Sequence, residues 1–282
     1  MAILNFVPEV WSASLLGSLK KSLVFGAPSV CNRNYEGEIA DSGDTVKITS
    51  ISRPTIGTYT KNSTTITPEV LTDAQRSLLI DQSKYFAFEV DDIDLRQAKD
   101  GGALMSEAAT ESAYGLADVA DQYIASLYTG VDSANNISTY SVTTAAKAVE
   151  QLVALKVKLD NANVPTMGRY VIVPPWYHGL LLLDDRFVRL DASGTTEALR
   201  NGVVGRAFGF DVYVSNNCIN VTGDDWIVQA GYPGAISFAE QIVKVEAYRP
   251  ENSFSDALKG LHVYGAKLVR PTGIAVLTAS IT

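Results

Sequence analysis

Apolar residues recur with a helical period from Pro8 to Leu23, where Val10, Trp11, Leu15, Leu16, Leu19 and Leu23 share one face. Gly26, Pro28 and Asn32 end that pattern. The period then changes to two. Val46 and Ile48 alternate with Thr45, Lys47 and Thr49 across Asp44–Ile51, which predicts a half-buried strand. Pro54, Gly57 and the polar stretch from Lys61 to Thr65 predict a long turn, and further strands are expected over Ser77–Ile80 and Tyr85–Val90. After Asp100-Gly-Gly, a helix is expected from about Ala103 to Tyr128, with Gly130 as its stop. Its second half places Leu116, Val119, Ala120, Tyr123, Ile124 and Leu127 on one face, and Asp118, Asp121 and Gln122 opposite. At about 26 residues such a helix would span roughly 39 Å.

Beyond the polar linker Val131–Tyr140, Thr143–Asn161 reads as a helix with Ala148, Leu152, Leu155 and Leu159 inward. A strand at Arg169–Val173 and a short helix around Leu180–Leu183 follow, so a compact α/β region is expected up to about Ala230. From Gly234 the pattern turns to β, with strands at Val243–Tyr248, Leu261–Val269 and Ile274–Leu277. The first two pieces of the chain stand apart from this. A lone amphipathic helix gains most of its stability by packing its apolar face, and a two-stranded ribbon is marginal in water. Two arms without cores of their own imply neighbours that supply the missing contacts, which is the pattern of a building block.

The 282 residues suffice for one large domain or two smaller ones, and 46% apolar with 19% charged residues describes an ordered protein. No apolar run reaches the length of a membrane span, and no secretory signal is expected at the N-terminus. The net charge is −8, and it is unevenly placed. Between Phe86 and Ser126 nine acids face two bases, a net −7 with no basic stripe of the kind nucleic-acid binders carry. Two readings fit this stretch: an inner wall that does not grip phosphates, or a solvated helix face with strand-end caps.

Candidate chemistry is sparse. Cys31 and Cys218 lie far apart in the chain and read as two buried thiols; with only His178 and His262 beside them, a zinc site is not expected. Gly202, Gly205 and Gly209 match no phosphate loop and read as a turn before the strand at Phe210–Val214. Asp92 and Asp94 form a DxD pair without a third ligand cluster, so strand-end caps are expected. There is no GxSxG elbow, and His262, in a β run, reads as a structural imidazole. No catalytic residue, cofactor or metal is therefore assigned. An α/β hydrolase with an unrecognised site is the outlying alternative.

Several segments, in a fixed order, carry a resemblance. The run Phe6 to Phe25, the segment Asn32-Arg-Asn-Tyr-Glu-Gly-Glu-Ile39 leading into Gly43-Asp-Thr-Val-Lys-Ile48, and Ile80 to Asp94 resemble the major capsid proteins of tailed bacteriophages. Gly205-Arg-Ala-Phe-Gly-Phe-Asp-Val-Tyr-Val-Ser215 and Phe254 to Pro271 continue it, so it covers nearly the whole chain. The likeness is to the Hong Kong 97 fold, in the branch of the coat protein of Salmonella phage P-twenty-two. It implies an α+β fold with an N-terminal arm (1–36), an extended E-loop hairpin (37–84) and a P-domain whose first part holds a long spine helix (85–135). An inserted A-domain (136–232) and a return to the P-domain with C-terminal strands (233–282) complete it.

The resemblance also implies a function. A non-enzymatic subunit would assemble into hexamers and pentamers that close an icosahedral head around double-stranded DNA, without sequence-specific binding and without a membrane. Scaffolding, portal and decoration proteins are the further partners, and assembly in the host bacterial cytoplasm would precede residence in the virion. Candidate inter-subunit contacts are Trp11, Leu15, Leu19, Val46, Ile48, Tyr59 and Lys61. Some members of the fold join subunits by a Lys–Asn isopeptide bond. Lys61 at the ribbon tip is the one lysine to nominate, but no Asn or Glu matches it by motif, and an exposed tip lysine is the expectation. Encapsulins share the fold, so a nanocompartment shell subunit is the alternative function.

Overall fold

The computed structural model describes residues 24–34, 45–51, 54–63, 65, 66, 68, 73–91, 101–184 and 206–282; within these, the side chains of 45–51, 73–76, 101–107, 242 and 243 are left out. Described elements run in the order β1 (Thr45–Ile51), β2 (Asp73–Leu79), β3 (Gln82–Asp91), α1 (Gly101–Ser126), β4 (Asn136–Ser141) and α2 (Ala145–Asn161). They continue with β5 (Arg169–Val173), α3 (Pro175–Leu182), β6 (Arg206–Ala207), β7 (Phe210–Val214), β8 (Asn220–Thr222) and β9 (Asp225–Gly231). Three long strands close the chain: β10 (Ile236–Tyr248), β11 (Ser255–Leu268) and β12 (Ile274–Ser280).

A mixed sheet in the order β4-β12-β9-β5-β7-β6, with β8 paired to β9, forms the centre. Its two faces are buried against different partners. On one face Val171, Val173, Val228, Ala230, Ala275 and Leu277 meet Leu152, Leu155 and Leu159 of α2 and Tyr177 and Leu181 of α3. On the other, Tyr170, Ile172, Ile227, Ile274 and Val276 join one core with Ala113, Ala117, Ala120 and Ile124 of α1. A sheet covered on both sides needs apolar residues at every position, which is why all five residues of β5 are buried. Thr144 caps α2 by accepting from the Lys147 N–H at 3.4 Å. Pro175 opens α3 at a position where a missing N–H costs nothing, so that helix begins five residues earlier than its leucines suggest.

The second sheet, β10-β11-β3, is antiparallel and packs its inner face on α1 through Phe238, Tyr264, Val245 and Leu258. Its strands are longer than expected because β10 buries Ser237 and Glu240 among Phe238 and Ala239, which hides the start of the strand in the sequence pattern. β12 also departs from expectation. Sequence order places it in the return to the P-domain, yet it lies between β4 and β9 inside the sheet expected to be the A-domain.

The ribbon is the third sheet: β1 and β2, antiparallel, with Val46 opposite Leu78 and Ile48 opposite Arg76. Its root is tied to the body. Leu78 and Ile80 are buried against Ala239 and Val263. Gly265 on β11 permits the approach, since a Cβ there would lie 2.4 Å from the carbonyl oxygen of Leu79.

Candidate assembly interface

Beyond its root, the ribbon's described side chains are exposed. The segment joining β1 to β2 is exposed at every described residue from Pro54 to Ser63, with Ile56 at 89% and Tyr59 at 66% exposure; Lys61 is exposed beside them. A large apolar side chain left in water forfeits roughly 1.5–3 kcal/mol relative to its buried state, so a tip carrying Ile56, Tyr59 and Ile66 is suited to a surface other than its own. Val46 and Ile48 stand on the shaft, and the register places Val46 opposite the buried Leu78 while Ile48 lies two residues farther out. Tyr59 and Lys61 both lie in this exposed segment. Trp11, Leu15 and Leu19 lie outside the described residues.

A second exposed surface lies on the outer face of the β10-β11-β3 sheet. Tyr85, Leu261 and Lys244 line up across the three strands, and Tyr85 and Leu261 are exposed. In the adjoining row Glu246 pairs with Lys244 and, at 2.9 Å, with Lys259, whose ammonium also sits 5.0 Å from the centre of the Tyr248 ring. An apolar strip with a paired polar border is the composition of a contact surface, not of a reaction centre. Among the described residues no group of three His, Cys, Asp or Glu lies close enough to hold a metal ion.

Between these surfaces runs the segment from Val24 to Asn34, and here the sequence reading needs correction. Asp121, expected on the solvent side of the long helix, is only 2% exposed. The buried stripe of α1 runs through Ala113, Ala117, Ala120, Asp121, Ile124 and Ala125, while Val119, expected inward, is 39% exposed. Leu116, Ala120 and Ile124 of the expected face do enter the core, with Tyr123 and Leu127 packed against it, and small alanines at 113, 117 and 125 widen the buried stripe to take in Asp121. Asp121 accepts from the backbone N–H of Val24 at 2.9 Å and of Phe25 at 2.6 Å, and from the Asn217 side-chain amide at 3.0 Å. Burial raises its carboxyl above the ordinary aspartate range, against the lowering effect of those donors.

At the other end of the segment Arg33 pairs with Glu240 on β10, and its guanidinium lies 5.1 Å from the centre of the Phe238 ring. His262 on β11, fully buried, brings Nε2 to 3.3 Å from the second Glu240 oxygen. Burial raises the Glu240 carboxyl, but His262 and Arg33 outweigh it and hold the group below the ordinary glutamate range. His262 is thus a structural imidazole beside an ion pair. Between the two ends, Phe25, Val30 and Cys31 enter the main core. Both cysteines are free and buried, and burial pushes the Cys218 thiol up to about 12.

The two carboxylates predict opposite pH effects. Glu240, with its folded pKa depressed, contributes stability that is present above the unfolded glutamate value, near 4.3, and is lost as pH falls through the lower folded value. Asp121, with its folded pKa raised, contributes relative stability that is full below the unfolded aspartate value, near 3.9, and is lost as pH rises through the higher folded value. Urea unfolding of the isolated subunit at pH 7 and pH 3.5 should show the deficit of Glu240→Gln shrinking in acid and that of Asp121→Asn growing. Parallel shifts for both variants would contradict these assignments.

Comparison with known proteins bears on what the exposed surfaces are for. A family model described as phage capsid protein matches residues 75–277. The chain belongs to the phage capsid protein family. A chain from Mycobacterium phage Che8 is 31% identical to this capsid protein, with 98% of each chain covered and a TM-score of 0.70. A chain from the capsid of the cyanophage P-SCSP1u is 16% identical over 86% of this chain and 85% of that one, with a TM-score of 0.68. The capsid protein also shares its fold with a chain from the SrpI encapsulin complex of Synechococcus elongatus PCC 7942, at 10% identity, 86% and 85% coverage and a TM-score of 0.57. A comparison with curated proteins returns no match.

The architecture is therefore the Hong Kong 97-like α+β capsid fold, and the protein is a structural subunit of a tailed-phage head. Encapsulins share the fold, but the family match separates this capsid protein from them. Self-association into capsomers follows from that membership, as does a place in the virion capsid.

Proposed function

We propose that copies of this chain join as hexamers and pentamers and close an icosahedral head around double-stranded DNA. In this reading the N-terminal arm and the β1–β2 ribbon overlap neighbouring subunits, and the α2/α3 region gathers around the capsomer axes. The observation that carries it is the ribbon tip, which exposes Ile56, Tyr59 and Ile66 on a two-stranded element whose described core residues, Leu78 and Ile80, lie at its root. Trp11, Leu15, Leu19, Val46, Ile48, Tyr59 and Lys61 are the proposed contact residues, and the tip lysine needs no covalent chemistry in that role.

DNA is enclosed without being read. The acidic excess between Phe86 and Ser126 keeps phosphates at a distance wherever it faces the interior. Asp121 takes no part in that wall, since it is buried among backbone donors. Assembly takes place in the host cytoplasm, with scaffolding, portal and decoration proteins as the further partners, and the chain itself performs no catalysis.

Size-exclusion chromatography with light scattering, on the micromolar protein alone and with any scaffolding partner, should reveal megadalton particles. A chain that stays monomeric under all these conditions, and in virions, would sink the reading.

A further inference from the structure

In chain order the segment Val24–Asn34 lies between the proposed N-terminal arm, which precedes it, and the ribbon, which begins at Thr45. Two elements, α1 and β10, grip it within eleven residues. At its start, Asp121 of α1 takes the N–H groups of Val24 and Phe25. Near its end, Asn32 pairs with the outer edge of β10, donating to the Ile236 carbonyl at 2.8 Å and accepting from the Phe238 N–H at 3.0 Å. Arg33 then meets Glu240, and the Asn34 N–H donates to the Asn32 side chain at 3.0 Å.

Internal bonds stiffen the span between these grips. The N–H groups of Val30 and Cys31 both donate to the Ala27 carbonyl at 2.9 Å, and the Cys31 thiol donates to the Phe25 carbonyl at 2.9 Å. The Arg33–Glu240 ion pair is a costly way to gain stability compared with apolar residues of similar volume, and the directional bonds of Asp121 to the Val24 and Phe25 N–H groups could not be replaced by an apolar side chain without leaving those donors unpaired. What a buried charged contact does supply is a single geometry, because any displaced arrangement strands a charge without its partner.

We propose that Asp121, Arg33 and Glu240 are positioning residues for shell assembly: they fix the point and direction at which both projecting parts leave the body of the subunit. The inference rests on the reading that those parts engage neighbouring subunits. Loosening the clamp at either end lets the exit direction vary from copy to copy, and a closed shell requires the same few directions at every position. The expected defect is then in the uniformity of shells, ahead of any defect in folding.

The test uses the full chain, assembled as wild type is, with Asp121→Asn and Arg33→Ala as the loosened variants. Arg33→Lys keeps the charge opposite Glu240, and Leu155→Val serves as a control that weakens the core away from the clamp. Circular dichroism and melting temperature report the fold; electron microscopy reports the yield and diameter distribution of closed particles. Asp121→Asn and Arg33→Ala should keep the helical signal yet give several-fold fewer closed particles with a broader spread of diameters. Arg33→Lys should recover most of the yield, and Leu155→Val should form wild-type particles at a comparable melting temperature.

Wild-type diameters and yield in both loosened variants would overturn the inference. So would equal disruption in Leu155→Val, or loss of the fold in both Asp121→Asn and Arg33→Ala, because stability alone would then account for the effect. A wild-type chain that forms no shell would overturn the assembly reading itself, and this inference with it; wild-type shells with unaffected variants overturn the inference alone.

Discussion

Leu152→Asp is expected to unfold the isolated subunit. Leu152 is fully buried in the middle of α2, within the core that covers one face of the mixed sheet through Val171, Val173, Val228 and Leu277. The substitution removes the leucine's contacts and leaves a carboxylate with no described ionic partner in an apolar core. Deleting a buried leucine side chain alone costs about 2–5 kcal/mol. The cost of burying the charge, or of taking up a proton to avoid it, adds to that. A domain of this kind holds about 5–15 kcal/mol in total, so the native state is largely exhausted by one change. Far-ultraviolet circular dichroism of the purified variant checks this, and a cooperative melt within a few degrees of wild type would contradict it.

The same chemistry placed at Ile48 should have a different outcome. Leu78, opposite Val46, is anchored in the subunit's own small core with Ala239 and Val263, but Ile48 stands two residues farther along the shaft, opposite Arg76. Ile48→Asp is therefore expected to leave the helical signal and melting temperature of the monomer nearly intact while abolishing or strongly weakening shell formation. Burial of an isoleucine against a neighbour contributes roughly 1.5–3 kcal/mol per contact, and in a shell that loss recurs at every subunit. The pair of variants separates folding from assembly. If Ile48→Asp melts the isolated subunit as severely as Leu152→Asp does, the ribbon belongs to its own subunit's core along its whole length, and the exchange of arms is wrong.

The elements that could be read from the chain are those whose pattern depends on one partner at a time. Helix α2 has apolar residues at 148, 152, 155 and 159 because one stripe meets one sheet, and β5 was legible as an unbroken apolar run. The ribbon was legible for the opposite reason, a polar composition with too little apolar surface to close on itself. Helix α1 shows its face through Leu116, Ala120, Ile124, Tyr123 and Leu127, but it also packs through Ala113, Ala117 and Ala125, whose weak apolar signal hides how wide the buried stripe is, so Val119 falls outside it and Asp121 within. One clue to Asp121 did exist. It falls at helical spacing with Ala117, Ile124 and Ala125, all buried, which places it on the same face as they are.

By itself the sequence determined the class of the protein, through segments in a fixed order that resemble a capsid subunit across nearly its whole length. Local periodicity and turn residues mark such segments, because they act over a few neighbouring positions. Only the tertiary structure decided which strands lie side by side. It placed β12 between β4 and β9, tied Asn32 to β10, and brought Arg33 from the distant N-terminal part of the chain to Glu240 and His262 on the β10–β11 hairpin. Nothing in a residue's immediate neighbours encodes such contacts. A buried charge is tolerated only where distant segments deliver its partners, and the sequence shows the charge without showing the delivery.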